Sequence, residues 1–269
     1  MCDYPFYSFP DAKQVAVCGD IHGDFSLLVN KLCLQYQLCD TLLIVAGDCG
    51  FGFNKLGYYE QLMQRNSKRM AQSNNWIVFV RGNHDNPAYF DGKVFMKERF
   101  MAVPDYSVIQ ACGHSILCVG GAVSIDRRYR IDQFNRKVRY DLSLKLNKDP
   151  LLPKFYWENE PPVYREELID LIGQKECVDT VVTHTSPSGC YPFLKGLVNE
   201  FSKHDPTLLA DTEQERHVMH LLFERLRMFG VPLSRWYYGH FHESHYSEME
   251  GVLFKLLDIM ELDLLPPRV

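Results

Sequence analysis

Val15-Ala16-Val17-Cys18-Gly19-Asp20-Ile21-His22-Gly23-Asp24 is the stretch on which the fold turns. Its four apolar residues read as a buried strand, and the Gly-Asp-Ile-His-Gly run reads as the turn leaving that strand's C-terminal end. Phe25 to Leu38, with Leu27, Leu28, Leu32 and Leu38 near helical spacing, reads as the crossover helix that follows. Ligands in open α/β sheets collect at such strand ends. The Asp-x-His spacing lets a carboxylate and an imidazole converge on one point, and the glycines let the backbone turn sharply between them.

The design recurs four times. Leu42 to Ala46 runs into Gly47-Asp48-Cys49-Gly50, and Ile77 to Val80 runs into Arg81-Gly82-Asn83-His84-Asp85. Val181-Val182 runs into Thr183-His184-Thr185, and Trp236-Tyr237-Tyr238 into Gly239-His240-Phe241-His242. One such end means little, because a lone His beside an apolar run is more often a hydrogen-bonded structural residue. Five in one chain, carrying Asp20, His22, Asp48, Asn83, His184, His240 and His242, argue for a metal cluster. Oxygen donors mixed with neutral imidazoles suit divalent manganese, iron or zinc. His114, His217, His220 and His245 fall outside the five blocks and are expected to be structural or surface residues, and Cys49 is expected to be packing.

At these five blocks, in this order from residue 19 to 242, the chain resembles the calcineurin-like metallophosphoesterases. The resemblance implies an α/β fold of two mixed β-sheets packed face to face with flanking helices. It implies hydrolysis of a phosphoester substrate, a mono- or diester, by a hydroxide bridging two divalent metal ions. It gives Asp20, His22, Asp48 and His242 to one metal and Asp48, Asn83, His184 and His240 to the other, with Asp48 as the bridge. His84 holds no metal in this scheme. It is the catalytic imidazolium, placed to protonate the departing alkoxide or to stabilise phosphoryl charge.

The chain departs from one branch of that superfamily. The Ser/Thr protein phosphatases carry Asp and Arg three and four residues after the bridging Asp, where this chain has Phe51 and Gly52. The paired His240-x-His242 fits the wider phosphoesterase and phosphodiesterase groups. A substitute phosphate grip is offered by Arg127, Arg128 and Arg130, since guanidinium forks bind phosphate bidentately. Asp126, Asp132 and Asp141 are interspersed with these arginines and with Arg136, Lys137 and Arg139, so a solvated insertion stays open beside it. Two rival functions remain. Tyr129, Phe134 and Tyr140 among the basic residues fit a nuclease acting on short or single-stranded nucleic acid. A catalytically inactive scaffold of the same fold is the other, and the intact ligand set argues against it.

Composition sets the outer bounds. A chain of 269 residues is expected to form one domain with a substantial core. A net charge of -5 gives no global attraction to nucleic acid or to an anionic membrane. The nine cysteines are odd in number and form no Cys-x-x-Cys pair, which reads as reduced thiols in a cytoplasmic setting. No signal peptide and no membrane-spanning apolar run is legible. Residues 1–13, punctuated by Pro5 and Pro10, read as a lead-in. Hairpins are expected around Gly113 and Gly251, helices over Lys55 to Ser73, from Arg165 and over Asp211 to Met228, and an irregular insertion at about 126–163.

Overall fold

The computed structural model describes residues 4–141, 146–193 and 196–268. In chain order the first half contains β1 (Phe6–Ser8), β2 (Gln14–Cys18), α1 (Phe25–Asn30), β3 (Thr41–Val45), α2 (Leu56–Gln72), β4 (Trp76–Phe79), β5 (Met96–Lys97), β6 (Phe100–Ala102), β7 (Ser107–Ala111) and β8 (His114–Val119). The second half contains α3 (Arg127–Tyr140), α4 (Glu166–Lys175), β9 (Thr180–Thr183), α5 (Gly196–Ser202), α6 (Leu208–Met228), β10 (Arg235–Tyr238), β11 (His245–Met249), β12 (Val252–Leu256) and β13 (Leu262–Leu264).

The strands form two mixed sheets. One has six strands in the order β13-β2-β3-β4-β6-β5, and the other seven in the order β1-β7-β8-β9-β10-β12-β11. β2, β3 and β4 pair in parallel, as do β8, β9 and β10. Strands buried on both faces read as continuous apolar runs, and here alternate residues serve different layers. Ala16, Cys18, Leu43, Val45, Ile77 and Phe79 pack with Phe25 and Leu28 of α1 and Tyr59 and Met63 of α2. Val15, Val17, Leu42, Ile44 and Val78 face the other way, against Ile109, Ile116, Cys118, Val182 and Tyr237 of the second sheet. That sheet's outer face, with Leu117, Val181, Trp236 and Phe254, carries α4 through Ile169 and Ile172 and α6 through Val218, Leu222 and Leu226. The result is helix, sheet, sheet, helix, the expected face-to-face packing of two mixed sheets.

Three local expectations change. The lead-in contains β1, a short edge strand between the two prolines that pairs in parallel with β7. The stretch expected to be irregular from 126 contains α3. This helix buries one side chain, Arg130, so it carries no apolar stripe from which a period can be read. Arg127 pins it instead, through Asp205 at 2.5 Å and Asp211 at 2.6 Å. The part of that stretch at 142–145 lies outside the described residues. The expected helix over Phe25 to Leu38 is α1, capped by Asp24 on the Leu27 N–H at 3.0 Å, followed by a π-helical turn over Lys31–Gln35. Among the described residues no cysteine is disulfide-bonded and no helix is long and apolar enough to cross a membrane.

Candidate metal centre

Because β2, β3 and β4 run parallel in one sheet and β9 and β10 in the other, the five turns leave their strands at one shared edge. Four of the side-chain-bearing positions there, His22, Asp48, His240 and His242, adopt left-handed backbone with φ of 45°, 46°, 73° and 52°. Such conformations cost about 1–3 kcal/mol each and persist only where the surroundings over-determine them. Here the turns fasten one another. The His22 N–H donates to the Asp48 carbonyl at 2.8 Å. The His84 N–H donates to Asp48 Oδ1 at 2.7 Å and the His240 N–H to Asp20 Oδ1 at 3.0 Å. Two glycines permit the approach: a Cβ on Gly82 would sit 2.1 Å from the Asp48 nitrogen, and one on Gly239 would sit 2.2 Å from Asp20 Oδ1.

The side chains form two overlapping donor sets. Ligand atoms of Asp20, His22, Asp48 and His242 all lie within 4.8 Å of one another. The Nε2 atoms of His22 and His242 face each other at 3.0 Å, and Asp20 Oδ2 lies 3.0 Å from His242 Nε2. In the second set His184 Nε2 lies 3.1 Å from Asp48 Oδ1 and 2.9 Å from Asn83 Oδ1, with the His240 ring 4.9 Å from the His184 ring. Asp48 belongs to both.

This arrangement fits divalent cations. Asp20 Oδ2 is buried and accepts no well-aligned hydrogen bond, although it and the two imidazole nitrogens crowd one space. Burial disfavours charge on Asp48, yet His184, His84 and His22 hold its carboxyl well below the usual range. Burial likewise lowers His184, but Asp48 and Asp20 outweigh it and lift the imidazole to about 10. The carboxylates thus draw positive charge to the second set, which a divalent cation would supply. Desolvation, with His184 next, holds His240 well below the ordinary imidazole value, in the neutral form a metal requires.

A model of the calcineurin-like phosphoesterase family matches residues 13–244. The chain belongs to that family. No curated protein matches it. Among solved structures it is similar to TT1561 of Thermus thermophilus, at 10% identity over 96% of this chain and 100% of that one, with a TM-score of 0.54. It also aligns with the phosphopantetheinyl hydrolase PptH of Mycobacterium tuberculosis, at 14% identity over 92% of this chain and 91% of that one, with a TM-score of 0.40. A cold-active protein-tyrosine phosphatase of a Shewanella species aligns at 13% identity over 97% and 76%, with a TM-score of 0.36. At these identities the likeness to TT1561 is one of fold alone, and the two lower scores add nothing to it.

Calcineurin-like phosphoesterases normally use a dinuclear metal centre, and around the candidate ligands of this chain several supporting residues carry no sequence signal of their own. Asp85 is fully buried and its carboxylate accepts four backbone N–H groups: Cys49 at 3.0 Å, Gly50 at 2.8 Å, Phe51 at 2.9 Å and Gly82 at 2.8 Å. It ties the turn bearing Asp48 to the turn bearing Asn83. Burial and then the Asp48 charge raise it to about 6 against those bonds. Asn83 Nδ2 donates to Ser124 Oγ at 3.0 Å, and Ser124 Oγ donates to Glu160 Oε2 at 2.7 Å. That chain turns the Asn83 carbonyl oxygen toward His184. Burial pushes Glu160 up to about 8. A carboxylate directed at backbone amides leaves no spacing signal; Asp85 was visible only as the last letter of its block, and Ser124 and Glu160 sit in segments without a motif.

The three candidate arginines separate. Arg127 is bound to Asp205, Asp211 and Thr207, and Arg128 is exposed. Arg130 is buried beside the cluster. Its Nε contacts Asp126 at 2.7 Å, its Nη2 meets His84 Nε2, and its Nη1 is buried without a partner. His84 Nε2 lies 3.8 Å from Asp48 Oδ2. Burial, opposed by Asp48 and aided by Arg130, lowers His84. Outside the blocks, His114 is held by Asp179 at 3.0 Å and His220 stands 3.4 Å from Glu224. Cys49 is buried with its thiol on the Val80 carbonyl at 3.3 Å.

Proposed function

We propose that this chain is a two-metal phosphoesterase that hydrolyses phosphate mono- or diesters. The observation that carries the reading is the pair of donor sets sharing Asp48, with the buried, unpartnered Asp20 Oδ2 in one and the doubly drawn His184 in the other. Asp20, His22, Asp48 and His242 would hold one cation, and Asp48, Asn83, His184 and His240 the second. When bound, the pair would supply Lewis acidity and an activated water.

The remaining chemistry belongs to the chain. The Asn83–Ser124–Glu160 chain keeps the Asn83 amide from flipping. Arg130, with an unpartnered Nη1 beside His84, is the phosphate grip of the reading, in place of the Asp and Arg found after the bridging Asp in the protein phosphatases. An incoming phosphoryl group draws the guanidinium off His84 Nε2. That frees Nε2 to take up a proton from solvent water and pass it to the leaving-group oxygen as the P–O bond to that oxygen breaks.

The test is a phosphoester panel on metal-stripped protein restored with manganese, iron or zinc in turn. Turnover should return with the metal, and Asp48→Asn should lose at least one cation and nearly all activity. His84→Asn should keep both cations and lower the turnover number by about 100- to 10,000-fold. Its deficit should shrink on nitrophenyl esters, whose leaving group needs no proton. Full metal loading with no turnover on any ester would leave a scaffold and refute the proposal.

A further inference from the structure

One cavity of about 840 Å³ opens from the metal centre, and its walls differ in chemistry. The inner end is walled by Asp48, Asn83, His84 and His240, with Arg130 beside them. Apolar wall is supplied by Phe241, whose ring lies 4.8 Å from that of His240, by Tyr191 and Phe193, and by Leu197, Val198 and Phe201 of α5. None of α5's residues is buried. Leu197 is 69% exposed and Phe193 65% exposed. A contiguous apolar wall left open to water and continuous with a reaction centre is what a ligand subsite looks like.

The charges of the cavity say what does not go there. Among the described residues lining it, the cations are Arg130 and Arg216. Arg130 stands at the inner end. Arg216 spends its terminal nitrogens on backbone carbonyls, Pro192 at 2.7 Å, Pro187 at 3.1 Å and Cys190. Asp126, Glu213 and Glu243 also line the cavity. A polyanion threaded outward from the centre would meet carboxylates and no available guanidinium, and nucleic-acid affinity depends on neutralising successive phosphates. An uncharged apolar group meets aromatic and aliphatic walls.

We infer that the substrate is a small phosphoester with one anionic group, whose alcohol portion is an alkyl or aryl group lodged between Tyr191, Phe193, Phe241 and α5. The placement of its phosphate rests on the phosphoesterase reading; the apolar subsite stands on its own walls. Burial of each methylene of such a group should tighten binding about fourfold until the apolar wall is covered.

The deciding experiment measures binding, without turnover. A series of alkylphosphonates from ethyl to octyl, which carry the anionic group but no ester bond, is titrated calorimetrically into the metal-loaded protein. Affinity should rise with chain length by up to about fourfold per carbon. Leu197→Asn and Phe201→Asn, uncharged changes at exposed positions, should flatten that rise, so that octylphosphonate loses more affinity than ethylphosphonate. Equal affinity along the series would overturn the inference, as would a chain-length dependence untouched in both variants. So would a short oligothymidylate binding more tightly than octylphosphonate with a steep salt dependence. The phosphoester panel keeps the two proposals apart: a chain-length rise without any turnover refutes the phosphoesterase and leaves the subsite standing, whereas turnover without the rise refutes the subsite alone.

Discussion

Ser124→Ala isolates the support beneath the metal centre. Ser124 is 1% exposed, and its hydroxyl links two buried groups, accepting from Asn83 Nδ2 at 3.0 Å and donating to Glu160 Oε2 at 2.7 Å. Removing one oxygen atom orphans a donor on Asn83 and an acceptor on Glu160. Each buried unsatisfied group costs about 1–3 kcal/mol, so the metal-free protein should lose roughly 2–4 kcal/mol once partial relaxation is allowed. The same change frees the Asn83 amide to rotate, and loss of such an outer contact typically weakens metal affinity about 10- to 100-fold. Guanidinium denaturation of the stripped protein reads the first quantity and competitive metal titration the second. Ser186→Ala is the control. Ser186 is equally buried, but its hydroxyl has no partner, so by the same rule its removal should not destabilise the protein and should stabilise it by up to about 1–3 kcal/mol. If Ser124→Ala behaves like Ser186→Ala in both measurements, the hydrogen-bonded chain does not position Asn83 and the reasoning fails.

Other consequences are separately testable. Asp85→Asn turns an NH₂ toward one of the two N–H pairs, Gly50/Phe51 or Cys49/Gly82, that the carboxylate now serves, and the loaded protein should release at least one cation on gel filtration; unchanged metal content would refute the tie between the two turns. Arg130→Ala should raise KM and weaken phosphate inhibition by about 10- to 100-fold, the range for a charged hydrogen bond, while Arg127→Ala should lower the melting temperature and leave KM alone; the reverse pattern would transfer the phosphate grip to Arg127. Burial lifts Glu215 from 4.5 to about 7. Its raised value means the folded state holds the proton that the unfolded state releases, so this contribution is intact below pH 4.5 and is lost as pH rises through 7. At about 1.36 kcal/mol per unit the span is about 3 kcal/mol. Glu215→Gln should flatten that part of the stability profile of the metal-free protein, and an identical slope in variant and wild type would exclude Glu215 as its source.

The parallel run of β2, β3 and β4 and the turns that bear the candidate ligands were legible because both depend on local chemistry. Val15, Val17, Leu42, Ile44 and Val78 are apolar in unbroken runs because each strand faces a helix layer on one side and a second sheet on the other. Asp20, His22, Asp48, Asn83, His184, His240 and His242 mark the ends of those runs because side chains leaving parallel strands at one edge are the ones that can meet. Helix α3 was not legible: it is polar on nearly every face, and what holds it is Arg127 reaching residues far along the chain. The same is true of Asp85, whose four partners are backbone amides brought to it by two different turns, and of the Ser124–Glu160 link between segments that share no motif. Among Arg127, Arg128 and Arg130, the sequence offered three equivalent cations; helical rotation buried Arg130 against His84, turned Arg127 toward Asp205 and left Arg128 in water. Residue type and spacing thus determined which strand ends bring the candidate ligands Asp20, His22, Asp48 and His242 together. Only the tertiary structure decided which buried polar groups support those atoms, which arginine faces them and where an apolar cavity opens beside them, since each of those depends on contacts between residues that nothing in the linear order brings together.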